Sequence, residues 1–98
     1  MSVVSVLYLP VREGTEDYVA RAYEEAGMFE LARQSGGFRS GRLLRPLRAG
    51  APMLVIAEWD STADYERWLE NPVRASLAAQ LMPLLAGEIV AGTLYRDV

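Results

Sequence analysis

Residues 53–77 of the chain, MLVIAEWDSTADYERWLENPVRASL, carry the most informative pattern of the sequence. The first seven positions are apolar apart from one glutamate, a composition typical of a buried β-strand. Ser61 follows, with Asp64 three residues further on, a spacing typical of a helix N-terminus. Asn71 and Pro72 mark the start of another helix, because asparagine caps helices and proline is tolerated in their first turn. The stretch therefore predicts a strand, a short helix and a further helix in direct succession.

The segments on both sides of this stretch continue the alternation of strands and helices. Apolar periodicity and Gly/Pro breaks predict a strand at 3–9, a helix from an N-cap at Thr15 to about Ser35, a strand at 38–48 and a last strand at 88–96. The order β-α-β-β-α-α-β predicts a ferredoxin-like α+β fold, in which a four-stranded antiparallel sheet carries helices on one face. A single domain, residues 1–98, accounts for the whole chain.

The first predicted strand carries apolar residues on both of its faces. Val4, Val6 and Tyr8 alternate with Val3, Leu7 and Leu9. A strand of this kind is typical of a sheet that is covered on both sides. Since 98 residues supply helices for only one side, we expect a second copy of the chain to cover the other, as a homodimer.

The composition excludes most catalytic side chains. The chain has no Cys, His or Lys, because its ten basic residues are all Arg. Thiolate nucleophiles, imidazole bases, Schiff-base lysines and Cys or His metal sites are therefore impossible. A formal net charge of −3 argues against nucleic acid as a partner. No stretch approaches the ~20 apolar residues that cross a bilayer, and the apolar N-terminus, interrupted by Pro10 and Arg12, is not typical of a signal peptide. We expect a cytoplasmic protein that binds neither nucleic acid nor membrane.

The stretch quoted above resembles the antibiotic biosynthesis monooxygenase family, a branch of the dimeric α/β-barrel proteins. The resemblance is carried by Trp59 at the end of a strand, the cap Ser61 and the aromatic Tyr65 within the short helix. Residues 11–14, ahead of the first helix, and 37–38, at the start of the second strand, agree with it. It therefore extends over nearly the whole chain, and it implies two chains paired into a dimeric α/β barrel.

The family includes members with several different chemistries, and the residue types of this chain distinguish between them. Haem-degrading members use an Asn on the first strand, a Trp at the end of the short helix and an iron-ligating His on the next helix. Trp68 matches the Trp, but Leu7 and Ala78 stand at the Asn and His positions, so haem degradation is disfavoured. A branch that oxidises quinols or handles small signalling molecules carries a His near the short helix, and it is not supported either.

The ring-oxidising members of aromatic polyketide pathways fit better. Trp59 and Tyr65 match their Trp and Tyr, whereas Val55 and Ala78 stand where they carry Asn and Arg. The resemblance implies a monooxygenase that needs no cofactor or metal and oxidises a small aromatic, phenolic or quinol-like metabolite with O2. The implied catalytic residues are Trp59 and Tyr65, and the implied substrate-binding residues are Trp68, Leu7, Tyr23, Val55 and Ala78. Strand alternation turns Glu58 away from this site, so we do not expect it to be the base.

Other interpretations of the same residues stay open. The chain could be a non-catalytic small-molecule-binding or dimerisation module, or an isomerase, cyclase or decarboxylase of the same fold. Both Trp residues, Tyr65 and Tyr23 could serve core packing alone, since aromatic side chains bury large apolar areas. We expect Arg67 and Arg74 to be solvated or paired with nearby glutamates, Glu66 and Glu70.

Overall fold

The computed structural model describes residues 2–90 and 92–98. Within them the elements run in the order β1 (Val3–Leu9), α1 (Glu16–Ala26), α2 (Met28–Ser35), β2 (Phe38–Leu44), β3 (Met53–Trp59), α3 (Thr62–Leu69), α4 (Pro72–Leu81), a 3₁₀ turn (Met82–Leu84) and β4 (Thr93–Tyr95). Apart from the division of the first helix, this is the order predicted from the sequence. In the part of the chain that the structure describes, no helix is long and apolar enough to cross a membrane.

The strands form one antiparallel sheet in the order β2-β3-β1-β4. β1 and β3 lie at its centre and pair along their whole length, from Val3 opposite Trp59 to Leu9 opposite Met53. β2 lies at the edge, and a register shift between Phe38 and Ser40 interrupts its pairing with β3. The predicted ferredoxin-like α+β fold is therefore confirmed.

Both helix starts predicted within residues 53–77 are present. The side chain of Ser61 accepts a hydrogen bond from the main-chain N–H of Asp64 at 3.3 Å. Asn71 accepts one from the N–H of Val73 at 2.9 Å. Each bond satisfies an N–H that a helix start leaves without a partner, and so fixes where α3 and α4 begin.

The predicted single helix from 15 to 35 is wrong. Gly27 adopts φ +64°, a left-handed conformation that ends α1, and α2 starts afresh at Met28. Thr15 stands at the start of α1 but does not cap it. Its hydroxyl donates to the carbonyls of Arg12, at 2.6 Å, and Leu84, at 3.2 Å, and so ties the helix start to the 3₁₀ turn.

Two predicted strands are longer than those observed. β2 ends at Leu44 instead of reaching Arg48, because Pro46 has no N–H with which to continue the ladder. The predicted strand at 88–96 forms β4 over Thr93–Tyr95 alone among the described residues, and its Ala91 lies outside them.

The core lies between the sheet and the helices. Along β3, Met53, Val55, Ala57 and Trp59 are buried, whereas Leu54, Ile56 and Glu58 between them are half-buried. We call the side of the sheet that carries this second set the outer face. It also carries Val4, Val6 and Tyr8 of β1 and Tyr95 of β4, of which Tyr8 and Tyr95 are more than half exposed. The outer face is therefore largely apolar and only partly covered.

Candidate functional site

A cavity of about 50 Å³ lies between the inner side of the sheet and the helices. All seven side chains predicted to form the site line it: Leu7, Tyr23, Val55, Trp59, Tyr65, Trp68 and Ala78. They come from β1, β3, α1, α3 and α4. The structure thus brings together residues that are far apart in the sequence, while their roles stay predictions.

Small side chains create the space. Ser5 of β1 stands directly opposite Ala57 of β3, so the centre of the sheet offers little side-chain volume. Ala32 of α2 and Ala78 of α4 line the helical side of the cavity. Larger side chains at these positions would close the gap, because protein interiors are normally packed without voids of this size.

Aromatic rings form a continuous wall along the cavity. Neighbouring ring centroids in the series Tyr23, Phe29, Phe38, Trp59, Tyr65 are 5.9, 6.0, 5.2 and 5.6 Å apart. These spacings lie in the favourable range for aromatic pairs. Phe29 has room because β2 carries Gly41 beside it, where a Cβ atom would come within 2.6 Å of the Phe29 ring. Phe29 and Phe38 were not predicted as site residues, since apolar periodicity assigns them only to the core.

Trp59 is held in place by Ser5. The indole Nε1–H donates to the Ser5 hydroxyl at 3.1 Å, and this hydroxyl donates to the Ala57 carbonyl at 3.5 Å. Both side chains are buried, with exposed fractions of 1% for Trp59 and 4% for Ser5. Because the indole has a single donor, Trp59 presents its ring, and not its N–H, to the cavity. Ser5 has no charge or aromatic character, so sequence reasoning did not identify it.

Tyr65 also has a main-chain partner. Its hydroxyl accepts a hydrogen bond from the N–H of Gly92 at 2.9 Å, and the side chain is 6% exposed. A phenol hydroxyl has one proton to donate and two acceptor sites. Since the Gly92 N–H can only donate, the hydroxyl proton of Tyr65 is not used in this bond.

Arg74 stands close enough to Tyr23 to influence the pKa of its phenol. Burial raises the pKa of Tyr23 to about 12, and the positive charge of Arg74 acts in the opposite direction. Tyr23 is therefore protonated at neutral pH and can donate a hydrogen bond, but it cannot serve as a base.

Arg74 is the functional candidate that the sequence interpretation missed. It was expected to be solvated or paired with a glutamate, yet it is half-buried and lines the cavity. The ion pairs among the described residues use Arg33, Arg39, Arg45 and Arg67. A signal was present in the sequence, because Arg74 precedes Ala78 by four residues and so lies on the same face of α4.

The expected pairing of Arg67 is wrong. Its partner is Asp64, at 2.9 Å on the same helix, and not Glu66 or Glu70. Hydrogen bonding from Ser61, and then the charge of Arg67, lower the pKa of Asp64.

Glu58 lies on the outer face and accepts a hydrogen bond from Ser2 at 2.6 Å. Among the described residues, those that line the cavity include neither Asp nor Glu.

The profile of the antibiotic biosynthesis monooxygenase family matches residues 2–80, so the chain belongs to this family. No curated protein matches the sequence.

Solved structures share the fold at low sequence identity. SnoaB, a cofactor-independent oxygenase from Streptomyces nogalater, is 19% identical with a TM-score of 0.74, covering 99% of this chain and 93% of its own. Rv0793 from Mycobacterium tuberculosis is 16% identical with a TM-score of 0.77, covering 100% and 96%. A conserved protein from Methanosarcina mazei is 12% identical with a TM-score of 0.80, covering 100% and 94%. At these identities the likeness extends to the fold alone.

Proposed function

We propose that the protein is a cofactor-independent monooxygenase that oxidises a small phenolic or quinol-like aromatic metabolite with O2. One observation carries the proposal: among the described residues, the polar side chains that line the cavity besides Ser5 can all donate a hydrogen bond to a ligand. They are the hydroxyls of Tyr23 and Tyr65 and the guanidinium of Arg74, set among aromatic and aliphatic walls. Donors in an apolar site stabilise a ligand that is, or becomes, an anion. Family membership supports the same reaction class.

The substrate itself would supply the reducing electrons. An electron-rich phenol, quinol or anthrone loses a proton, and its anion passes one electron to O2. The radical pair joins in a new C–O bond at a carbon that still carries hydrogen, the peroxide takes up a proton, and elimination of water, which removes that hydrogen, leaves a carbonyl. This sequence converts the substrate and O2 into a quinone-type product and water. The protein has to stabilise the anion, exclude water and align the ring with O2.

Arg74 is the group that would favour ionisation. A cation beside an acidic substrate lowers the pKa of that substrate, and the effect is strengthened where the surroundings are apolar. With no carboxylate among the lining residues, the proton would leave to solvent. The Trp59 ring, fixed by Ser5, offers a flat surface against which the aromatic ring of the substrate can pack.

The size of the cavity sets a condition on this reaction. Its volume of about 50 Å³ accommodates O2 or a few water molecules. A benzene ring needs about 150 Å³. Side chains in the wall must therefore move when the substrate enters, and Met28, Leu81 and Ile89 are aliphatic wall residues that can change rotamer. The small volume favours the second candidate function, a non-catalytic module that serves dimerisation, because such a module needs no space for a ligand.

We also propose that the protein is a homodimer whose subunits pair through their outer faces. The half-buried apolar residues of this face, among them Val6 and Ile56, support the pairing. The cytoplasmic location expected from the sequence stays a prediction.

Oxygen uptake tests the proposed reaction. Purified protein is mixed with hydroquinone or anthrone, and dissolved O2 is followed with an electrode. We expect uptake above buffer with at least one substrate, and its loss in Trp59→Phe or Tyr65→Phe. Arg74→Gln should lower the rate by about tenfold to a hundredfold and displace the pH profile upward, because the substrate anion loses its cation.

Arg48→Gln is the matched control, since Arg48 is exposed in the loop between β2 and β3 and should leave the rate unchanged. No uptake above buffer with either substrate contradicts the oxygenase. Binding of an aromatic ligand without uptake favours the binding module instead.

A further inference from the structure

We infer that Gly92 is a positioning residue of the cavity: its main-chain N–H holds Tyr65 as a hydrogen-bond donor, so that the cavity selects aromatic ligands with an acceptor oxygen. The inference rests on the proposed function, because it assumes that the cavity takes a small aromatic molecule. It adds the feature by which that molecule is recognised, a carbonyl or phenolate oxygen facing Tyr65.

The direction of one hydrogen bond carries the argument. Gly92 N lies 2.9 Å from the Tyr65 hydroxyl oxygen, and a main-chain N–H can only donate. The hydroxyl proton of Tyr65 therefore cannot point toward Gly92. Among residues 2–90 and 92–98, this hydroxyl forms no hydrogen bond to a protein acceptor. Its proton is left for a ligand oxygen.

The contact requires glycine at position 92. A Cβ atom there would lie 2.8 Å from the Tyr65 hydroxyl oxygen and 3.0 Å from the carbonyl oxygen of Val6. The Val6 carbonyl belongs to the central strand β1 and has no freedom to move aside. Any side chain at 92 would therefore displace the Tyr65 hydroxyl or push the chain away from it.

The position of Tyr65 decides how a ligand would lie. Its ring centroid is 5.6 Å from that of Trp59, whose indole N–H is already engaged with Ser5. An aromatic ligand on the Trp59 ring would place an edge oxygen toward Tyr65. A hydrocarbon of the same shape would leave the buried hydroxyl proton without a partner, which costs binding affinity.

Binding of two unreactive probes tests the selectivity without turnover. Acetophenone carries one carbonyl acceptor, and ethylbenzene is similar in shape but has none. Titrations followed by NMR chemical shifts should show that wild-type protein binds acetophenone about tenfold more tightly, the factor expected for one hydrogen bond. Tyr65→Phe and Gly92→Ala should lose this preference.

Gly87→Ala is the matched control. Gly87 lies in the same connection between the 3₁₀ turn and β4, and a Cβ atom there would meet its nearest neighbour, in Pro10, at an unstrained 3.7 Å. This variant should keep the wild-type preference. In the Tyr65→Phe background, Gly92→Ala should cause no further loss of preference, because both substitutions act on the same hydrogen bond.

Amide hydrogen exchange supplies a second measurement that does not depend on a ligand. The Gly92 N–H should be protected in the wild type and exchange about tenfold faster in Tyr65→Phe, which removes only its acceptor. Equal exchange in the two proteins overturns the inference even if Gly92→Ala fails to fold.

Failure of both probes to bind the wild type overturns the selectivity together with the proposed ligand class. An intact preference without oxygen uptake contradicts only the proposed reaction.

Discussion

Ser5 shows how one small polar side chain shapes this site. A buried hydroxyl is costly unless it is hydrogen-bonded, and Ser5 forms bonds to both the Trp59 indole and the Ala57 carbonyl. An alanine in its place would leave the indole N–H without a partner. A leucine would fill the space opposite Ala57. Serine therefore combines two requirements, a small volume at the centre of the sheet and an acceptor for the Trp59 indole.

Because the phenol of Tyr23 is buried, we expect the protein to lose stability at alkaline pH. Its pKa is raised to about 12 in the folded chain, against an ordinary value of 10.0. Above about pH 10 the unfolded chain loses this proton while the folded chain keeps it, so stability falls as the pH rises toward 12. We expect a loss of about 2 kcal/mol between about pH 9 and about pH 11.5, measured by urea unfolding.

Tyr23→Phe should remove this part of the pH dependence. Tyr18→Phe is its control, because Tyr18 is 62% exposed on the same helix and should leave the alkaline loss unchanged. Equal alkaline losses in the wild type and Tyr23→Phe would contradict the assignment to Tyr23.

At the scale of elements, the sequence predicts the bounds of a strand or helix best where the local residue pattern alone determines them. β1 and β3 have the bounds that apolar composition predicts, and α3 and α4 begin at their predicted caps. The break at Gly27 was missed because the apolar stripe of the first helix continues across it. Arg74 was missed for a related reason, since a charged residue on a helix is usually solvated and its burial depends on how α4 packs.

The break at Gly27 positions one wall of the cavity. It ends α1 and lets α2 start at Met28, and Met28, Phe29 and Ala32 of this helix all line the cavity. A Cβ atom at Gly27 would meet nothing within 4 Å, so the cost of a substitution there is set by the left-handed backbone alone. Gly27→Ala should therefore lower the free energy of unfolding by about 1 kcal/mol.

Gly27→Asn should lose less stability than Gly27→Ala, because asparagine tolerates the left-handed region better. Thermal and urea unfolding of the three proteins measure the order Gly, Asn, Ala. Equal stability of the alanine variant and the wild type would show that α1 and α2 can join into one helix at no cost.

At the scale of the whole molecule, the outer face is the side of the sheet that one chain covers only in part. Ile56 lies at its centre, paired with Val6 on one side and Arg42 on the other. A groove of about 340 Å³ lies on the same side, between Val6, Tyr8 and Val90. Monomeric proteins rarely leave a continuous apolar area of this kind in water. A second copy of the chain is the partner that would always be present.

The proposed dimer predicts that a charge at the centre of the outer face will separate the subunits. Ile56→Lys would place an ammonium group in an apolar contact and directly opposite the like charge of Arg42, and burial of such an ion costs several kcal/mol. Light scattering should give a dimer mass for the wild type at micromolar concentration and a monomer mass for Ile56→Lys. Val73→Lys, on α4 where Val73 is 41% exposed, should stay dimeric.

The urea midpoint of the wild type should also rise with protein concentration, whereas that of Ile56→Lys should not. A wild-type protein that is monomeric at micromolar concentration, with a midpoint independent of concentration, would show that the outer face faces solvent.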